Sequence, residues 1–198
     1  PQILHMGLPG YGVARKDLST GEILLPLTEE PDSGTPGSNE ILPSSQVYSL
    51  AVNPDTGNLY IGTGNGALTW NGNTATDLSR GGSWNLQPSQ HFGFVFDGST
   101  AYSATNIGVC EYTQTAIQEC VNAQDGMPNW GVYAIGMNST TIFGGTTNGV
   151  GLIDKSSMNV VDTWEAGEDP DNALVEVIDN IAYSGLNGIG VARSDITN

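Results

Sequence analysis

Short runs in which large apolar residues alternate with small or polar ones recur along the chain, separated by turn residues. In residues 47–70, VYSLAVNPDTGNLYIGTGNGALTW, Tyr48, Leu50 and Val52 alternate with Ser49 and Ala51; Pro54-Asp55-Thr56-Gly57 supplies a turn, and Leu59-Tyr60-Ile61 resumes the pattern. A period of two marks strands, and strands joined by turns this short pair antiparallel. Degraded copies of the phrase follow at 92–112 (FGFVFDGSTAYSATNIGVCEY), 132–154 (VYAIGMNSTTIFGGTTNGVGLID) and 174–195 (LVEVIDNIAYSGLNGIGVARSD), and a truncated one opens the chain at 3–17 (ILHMGLPGYGVARKD). Ser, Ala, Gly and Thr fill many positions between the large residues, as stacked sheets require. No run has helical periodicity; the nearest, 114–122, reads as an outer hairpin.

Aligned on Gly12, Ala67, Gly108, Gly151 and Gly190, three of the four intervals fall near the roughly 40 to 45 residues of a four-stranded propeller blade. The first interval is longer because 29–45, dense in Pro, Ser, Gly and acids, reads as an insertion between blades. The expected fold is therefore an all-β propeller of about five repeats in one domain, in units at about 1–28, 47–84, 91–122, 131–165 and 173–198. Strands are expected at 47–53, 58–63, 67–71 and 75–79, at 92–96, 101–105, 108–113 and 116–121, and at 132–137, 141–146, 150–154 and 158–164. The first copy begins at its second strand and the last stops after its third, near Asp195. Three complete blades with incomplete terminal ones follow, either unusually closed or part of a larger ring. Their open strand edges would invite self-association.

Charge narrows the partners. Lys and Arg number 5 against 21 Asp and Glu, a formal net charge of −16, which disfavours nucleic acid. Arg15-Lys16 is the largest basic cluster, and no apolar run is long enough for a membrane-spanning helix. Without an initiator Met, and with Pro1 almost directly before a strand, the chain reads as an excised domain, a processed product or a partial reading frame. The two cysteines, Cys110 and Cys120, lie symmetrically about a turn expected near 114–116, so a disulfide can join them across a hairpin if they form a closer, non-hydrogen-bonded pair, the alternative being two buried free thiols. That pairing implies an extracellular or periplasmic setting.

Candidate chemistry is sparse. Only His5 and His91 could serve as a catalytic base, and His5 sits within a strand as a structural residue. Residues 62–66, Gly-Thr-Gly-Asn-Gly, lack the Lys and the following helix of a phosphate loop and read as a turn. Asn138-Ser139-Thr140 forms a glycosylation sequon in a turn. Acidic clusters at Glu29, Glu30 and Asp32 and at Glu165, Glu168, Asp169 and Asp171 could hold Ca²⁺, though as solvated loops they need no ion, and no other cofactor is implied.

The remaining site hypothesis is topological. In a propeller, the turns between second and third strands emerge on the same face as the connections into the next blade. The former carry Asn65, Asn106, Asn148 and Asn187; the latter carry Trp84, His91 and Trp130. Aromatic rings with amides nearby suit a sugar ring or a peptide. Asn also recurs where a turn needs the left-handed conformation.

The phrase resembles the two-component-regulator propeller repeat, most closely in 47–68: Asp55, Gly57, Leu59-Tyr60-Ile61-Gly62-Thr63 and Gly66. Partial matches are Phe143-Gly144-Gly145-Thr146 with Gly149-Val150, and Tyr183-Ser184-Gly185 with Gly188-Ile189. The resemblance implies a periplasmic or extracellular sensing module. Two functional classes result: a non-catalytic module presenting one propeller face to a glycan, peptide or protein, or a propeller lyase or hydrolase with carboxylates and a metal at the central channel. The scarcity of His, Lys and Arg favours the first, because such enzymes need cations to stabilise anionic intermediates.

Overall fold

The computed structural model describes residues 2–29, 39–78, 87–113, 116–164, 174–178, 181–186 and 190–196. Five sheets follow one another in chain order. The first comprises β1 (Ile3–Leu8), β2 (Gly12–Asp17), β3 (Ile23–Glu29) and β4 (Asn39–Leu42); the second, β5 (Val47–Val52), β6 (Leu59–Thr63), β7 (Gly66–Trp70) and β8 (Ala75–Asp77). The third holds β9 (His91–Asp97), β10 (Thr100–Thr105), β11 (Gly108–Tyr112) and β12 (Ile117–Val121), and the fourth β13 (Val132–Met137), β14 (Thr141–Thr146), β15 (Gly149–Asp154) and β16 (Asn159–Trp164). The fifth has three described strands, β17 (Leu174–Ile178), β18 (Ile181–Leu186) and β19 (Gly190–Asp195). The strands of the middle units agree with those expected to within one or two residues. One short 3-10 turn, Ala123–Asp125, interrupts the all-strand pattern and is capped by Asn122.

Each sheet is too small to bury its own apolar residues, so the cores lie between sheets. Val13, Leu27, Leu42, Val47, Ile61 and Leu68 fill the junction of the first and second. Tyr60, Leu78, Phe94, Ala101 and Tyr112 fill the next, Val109, Val121, Met127, Ile135 and Ile153 the third, and Phe143, Val150 and Val175 the last. β6 and β7 are buried at every position, which explains their mixture of large and small residues. The first strands β5, β9, β13 and β17 lie side by side in that order; β9, β13 and β17 also pack on the second strand of the sheet before, and β5 packs on β1. β1 stands to β5 as β6 stands to β9: a Cβ on Gly7 would crowd Val47, and one on Gly62 would meet the His91 backbone. This succession of sheets fits a propeller-like fold; the pairings do not display a closed ring.

One expectation needs correction. Residues 29–45 are not solely a connection, because 39–42 form β4, which adds to β3 in parallel. Burial supplies the reason: Leu42 is almost wholly buried and Ile41 packs beside it in the first junction. A strand returning through a long connection is free to pair parallel, which a tight hairpin cannot do.

Three hairpins share a device beyond their turn residues. The hydroxyls of Thr63, Thr105 and Thr146 donate to the carbonyls of Gly66, Gly108 and Gly149 at 2.8, 2.8 and 2.9 Å and accept from the backbone N–H of Asn65, Ile107 and Asn148. All three threonines are fully buried, so the hairpin ends are tied from inside.

Cys110 and Cys120 stand opposite each other on β11 and β12 with Cα atoms 4.0 Å apart, joined by a disulfide. Closing a loop with sequence separation 10 restrains the unfolded chain by roughly 3 kcal/mol in the loop-entropy description. Urea unfolding with and without reductant should show a loss of that size. An unchanged midpoint after verified reduction would show that packing alone holds the hairpin.

Candidate functional site

The first strands of three consecutive sheets carry the same irregularity. In β5 the register passes from Val47↔Thr63 to Ser49↔Gly62, leaving Tyr48 unpaired; in β9 it passes from His91↔Thr105 to Gly93↔Ala104, leaving Phe92; in β13 from Val132↔Thr146 to Ala134↔Gly145, leaving Tyr133. Each is a β-bulge, which re-aims the extra side chain out of the sheet's ordinary alternation. In all three the extra residue is aromatic. β17 pairs Leu174↔Gly185 and Val175↔Ser184 without a bulge, and it has no aromatic there.

The three rings meet. The centroids of Tyr48 and Phe92 are 5.4 Å apart and those of Phe92 and Tyr133 5.1 Å, each pair tilted by about 40°. Tyr48 is 44% exposed and Tyr133 42%, whereas Phe92 is half-buried against the third junction's core. The central ring is thus anchored and the outer two are open to solvent. Tyr48 Oη donates to Gln46 Oε1 at 3.4 Å, placing an amide at one end of the strip. Apolar ring faces with amide and hydroxyl groups at the edge can hold a sugar ring or an extended peptide by stacking and directed hydrogen bonds.

The residues singled out from sequence fall around this strip unevenly. Trp130, 37% exposed, lies in the connection entering β13, where its backbone N–H donates to Asn129 Oδ1, and Asn129 Nδ2 in turn donates to Thr147 Oγ1 at 2.7 Å. Trp84 and Asn187 lie outside the described residues. Asn65, Asn106 and Asn148 are at the same end of the sheets as the bulges, but they are not equivalent. Asn65 and Asn148 occupy the residue before the hairpin glycine, whereas Asn106 sits one place earlier. The Asn106 side chain accepts from the N–H groups of Ser89 and Gln90, bracing the connection into β9. None of the three is left-handed: among described non-glycine residues only Met158 has positive φ, and Gly66, Gly108 and Gly149 take that conformation at 122°, 129° and 130°. The expectation that Asn supplies the left-handed turn residue is therefore corrected.

His91 leads from the connection into β9 but is fully buried. Its Nε2 lies 2.7 Å from Tyr112 Oη, its ring stacks beside Phe94, and Nδ1 meets no hydrogen-bond partner. Burial pushes its pKa down to about 3 and pushes that of Tyr112 up. A neutral ring sealed between sheets offers no face to a ligand. Its neighbour Phe92 is the residue presented. That strip was not identified from sequence, although a signal existed: in three units an aromatic follows the first residue of the first strand, as Val47-Tyr48, His91-Phe92 and Val132-Tyr133.

Among the described residues no three His, Cys, Asp or Glu side chains come together as a metal site. Glu29 accepts from the Ser45 N–H; Glu30, Asp32, Glu165, Glu168, Asp169 and Asp171 lie outside the described residues. Among the described residues no helix is long and apolar enough to cross a membrane.

No family model matches the chain, and no curated protein is significantly similar to it in sequence. Its fold is similar to that of the computationally designed protein Ika8, with a TM-score of 0.68 and 15% identity over 99% of this chain; the chain spans 56% of Ika8. The designed protein Ika4 aligns with a TM-score of 0.53 and 14% identity, covering 76% of this chain and 91% of its own. The extracellular domain of a proposed one-component system from B. thetaiotaomicron aligns with a TM-score of 0.56 and 18% identity, covering 74% of this chain and 20% of that one. At these identities the shared property is the all-β fold of successive small sheets.

Proposed function

We propose that this chain is a non-catalytic recognition module of the extracytoplasmic space, built as a propeller or a section of one, whose bulge-borne strip of Tyr48, Phe92 and Tyr133 binds a glycan. The observation that carries this reading is the joint recurrence of bulge and aromatic in three adjacent sheets, which puts the rings in contact and leaves the outer two exposed. A bulge unpairs a residue and weakens a ladder, so one repeated at the same place together with an exposed ring indicates use of the ring. The Cys110–Cys120 disulfide supports an oxidising compartment. The fold-level similarity to an extracellular domain and the resemblance of 47–68 to sensor repeats point the same way.

A glycan is favoured over a polyanionic partner because the chain carries a formal net charge of −16, and uncharged sugars bind through ring faces and hydroxyl hydrogen bonds. The folded chain should retain neutral oligosaccharides on a glycan array. Tyr133→Ala should weaken the best of them by about tenfold, the loss of roughly 1.4 kcal/mol expected for one stacking ring, with little change in melting. Array signals no higher than blank spots, or retention unaffected by Tyr133→Ala, would remove the glycan reading; peptide retention lost in the same variant would reassign the strip.

A further inference from the structure

At the other end of the sheets, between the first and second, lies a cleft of about 380 Å³, within the roughly 300–1,000 Å³ typical of small-molecule sites. Its polar wall is formed by His5, Arg15, Trp70 and Asn71, and Val52 and Leu59 supply apolar surface. Arg15, Trp70 and Asn71 of this wall carry hydrogen-bond donors that are not fully used. Arg15 lies over the Trp70 ring at 5.7 Å and makes one long hydrogen bond, Nη1 to the Leu25 carbonyl at 3.3 Å. Arg15 Nε is buried without a partner, and so is the indole Nε1 of Trp70, a residue only 6% exposed. Asn71 spends its side-chain oxygen on the N–H groups of Asn73 and Thr74, which leaves its amide nitrogen to donate. His5 pairs across the strands with Arg15, and burial together with that guanidinium holds its imidazole below its usual pKa, so Arg15 is the charge of the wall.

Buried donors without acceptors cost about 1–3 kcal/mol each, and a wall that keeps two of them lacks an acceptor. In a chain with 21 acidic and 5 basic side chains, an arginine set in a cleft that no described carboxylate lines is against the composition. We propose that this cleft binds a small monocarboxylate, whose oxygens accept from Arg15, the Trp70 indole and the Asn71 amide while its body rests on Val52 and Leu59. A carboxylate suits these donors because its two oxygens accept bidentately from a guanidinium and still have lone pairs for the other two. A single guanidinium matches a single negative charge. The carboxylate could belong to an acidic sugar or to a free amino-acid or peptide terminus, and the two share this chemistry.

The test is a titration of the folded chain followed by the indole N–H resonances in nitrogen-15 spectra, with the Trp70 signal assigned by its loss in Trp70→Phe. Sodium glucuronate and sodium N-acetyl-leucinate are the probes; glucose and N-acetyl-leucinamide are their neutral counterparts. Saturable movement of the Trp70 resonance by a carboxylate probe is expected, with a Kd of about 1 mM or tighter. Response to glucuronate alone assigns an acidic sugar, to N-acetyl-leucinate alone a chain terminus, and to both the carboxylate group itself. Arg15→Gln should weaken binding at least about tenfold and Arg15→Lys less, because lysine keeps the charge without the fork. Should Arg15→Gln not fold, the charged and neutral probes decide the matter in the unaltered chain. Stationary resonances at about 20 mM probe, equal movement by the neutral counterparts, or an Arg15→Gln variant that binds as the unaltered chain does would each overturn the proposal.

Discussion

Lowering the pH from 7 to about 4.5 should cost the unaltered chain roughly 2–3 kcal/mol of stability relative to a His91→Gln variant, because His91 is buried as a neutral ring. The ring's folded pKa of about 3 lies below the ordinary histidine value of 6.5. Unfolded chains therefore bind a proton that folded chains exclude whenever the pH lies between those values, and stability falls as the pH falls through that window. The contribution is complete above 6.5 and gone below about 3. The substituted glutamine would retain a hydrogen-bonding group for Tyr112 but would not titrate. Acid also relieves self-repulsion among the chain's 21 Asp and Glu, so the His91 component must be read as the difference between the two chains' pH profiles. Parallel profiles from urea unfolding at several pH values would mean that His91 takes up its proton without unfolding, and so that the second junction admits water.

Gly108→Ala should be the most damaging of the small substitutions, at about 3–5 kcal/mol, with a fall in Tm of roughly 10 °C. Gly108 has φ of 129°, and a Cβ there would run into the backbone oxygen of Val121, which cannot move without breaking the β11–β12 pairing. Gly10 supplies the internal control. Its φ of 79° is also positive, but nothing lies within 4 Å of its added Cβ, so Gly10→Ala should cost only about 1–2 kcal/mol of backbone strain. Equal losses in the two variants, measured by thermal or urea unfolding, would show that conformation rather than collision governs these glycines.

Much of this architecture was legible in the residues. The period-two runs located the strands of the middle units, and the symmetry of Cys110 and Cys120 about their turn set the β11–β12 register. What local pattern could not show was tertiary. β4 forms because Ile41 and Leu42 find a junction to fill, a fact about neighbouring sheets and not about residues 39–42. Asn106 looked equivalent to Asn65 because both precede a glycine closely, yet hairpin register sets them one residue apart. His91 was expected with Trp84 and Trp130 on the face of the inter-blade connections, and burial against Tyr112 and Phe94 withdrew it from the surface. The strip was hidden for a related reason. Alternation along β5, β9 and β13 assigns Tyr48, Phe92 and Tyr133 to ordinary sheet faces, and only the register shift at each of them brings the rings together across three sheets.

The recurring bulge as the device that makes a recognition surface is tested most directly by mapping a bound ligand. With the best array ligand added to the folded chain, the ring resonances of Tyr48, Phe92 and Tyr133 should move together and saturate at one Kd. Saturable binding that leaves these three rings unmoved while shifting residues at the opposite end of the sheets would contradict the account.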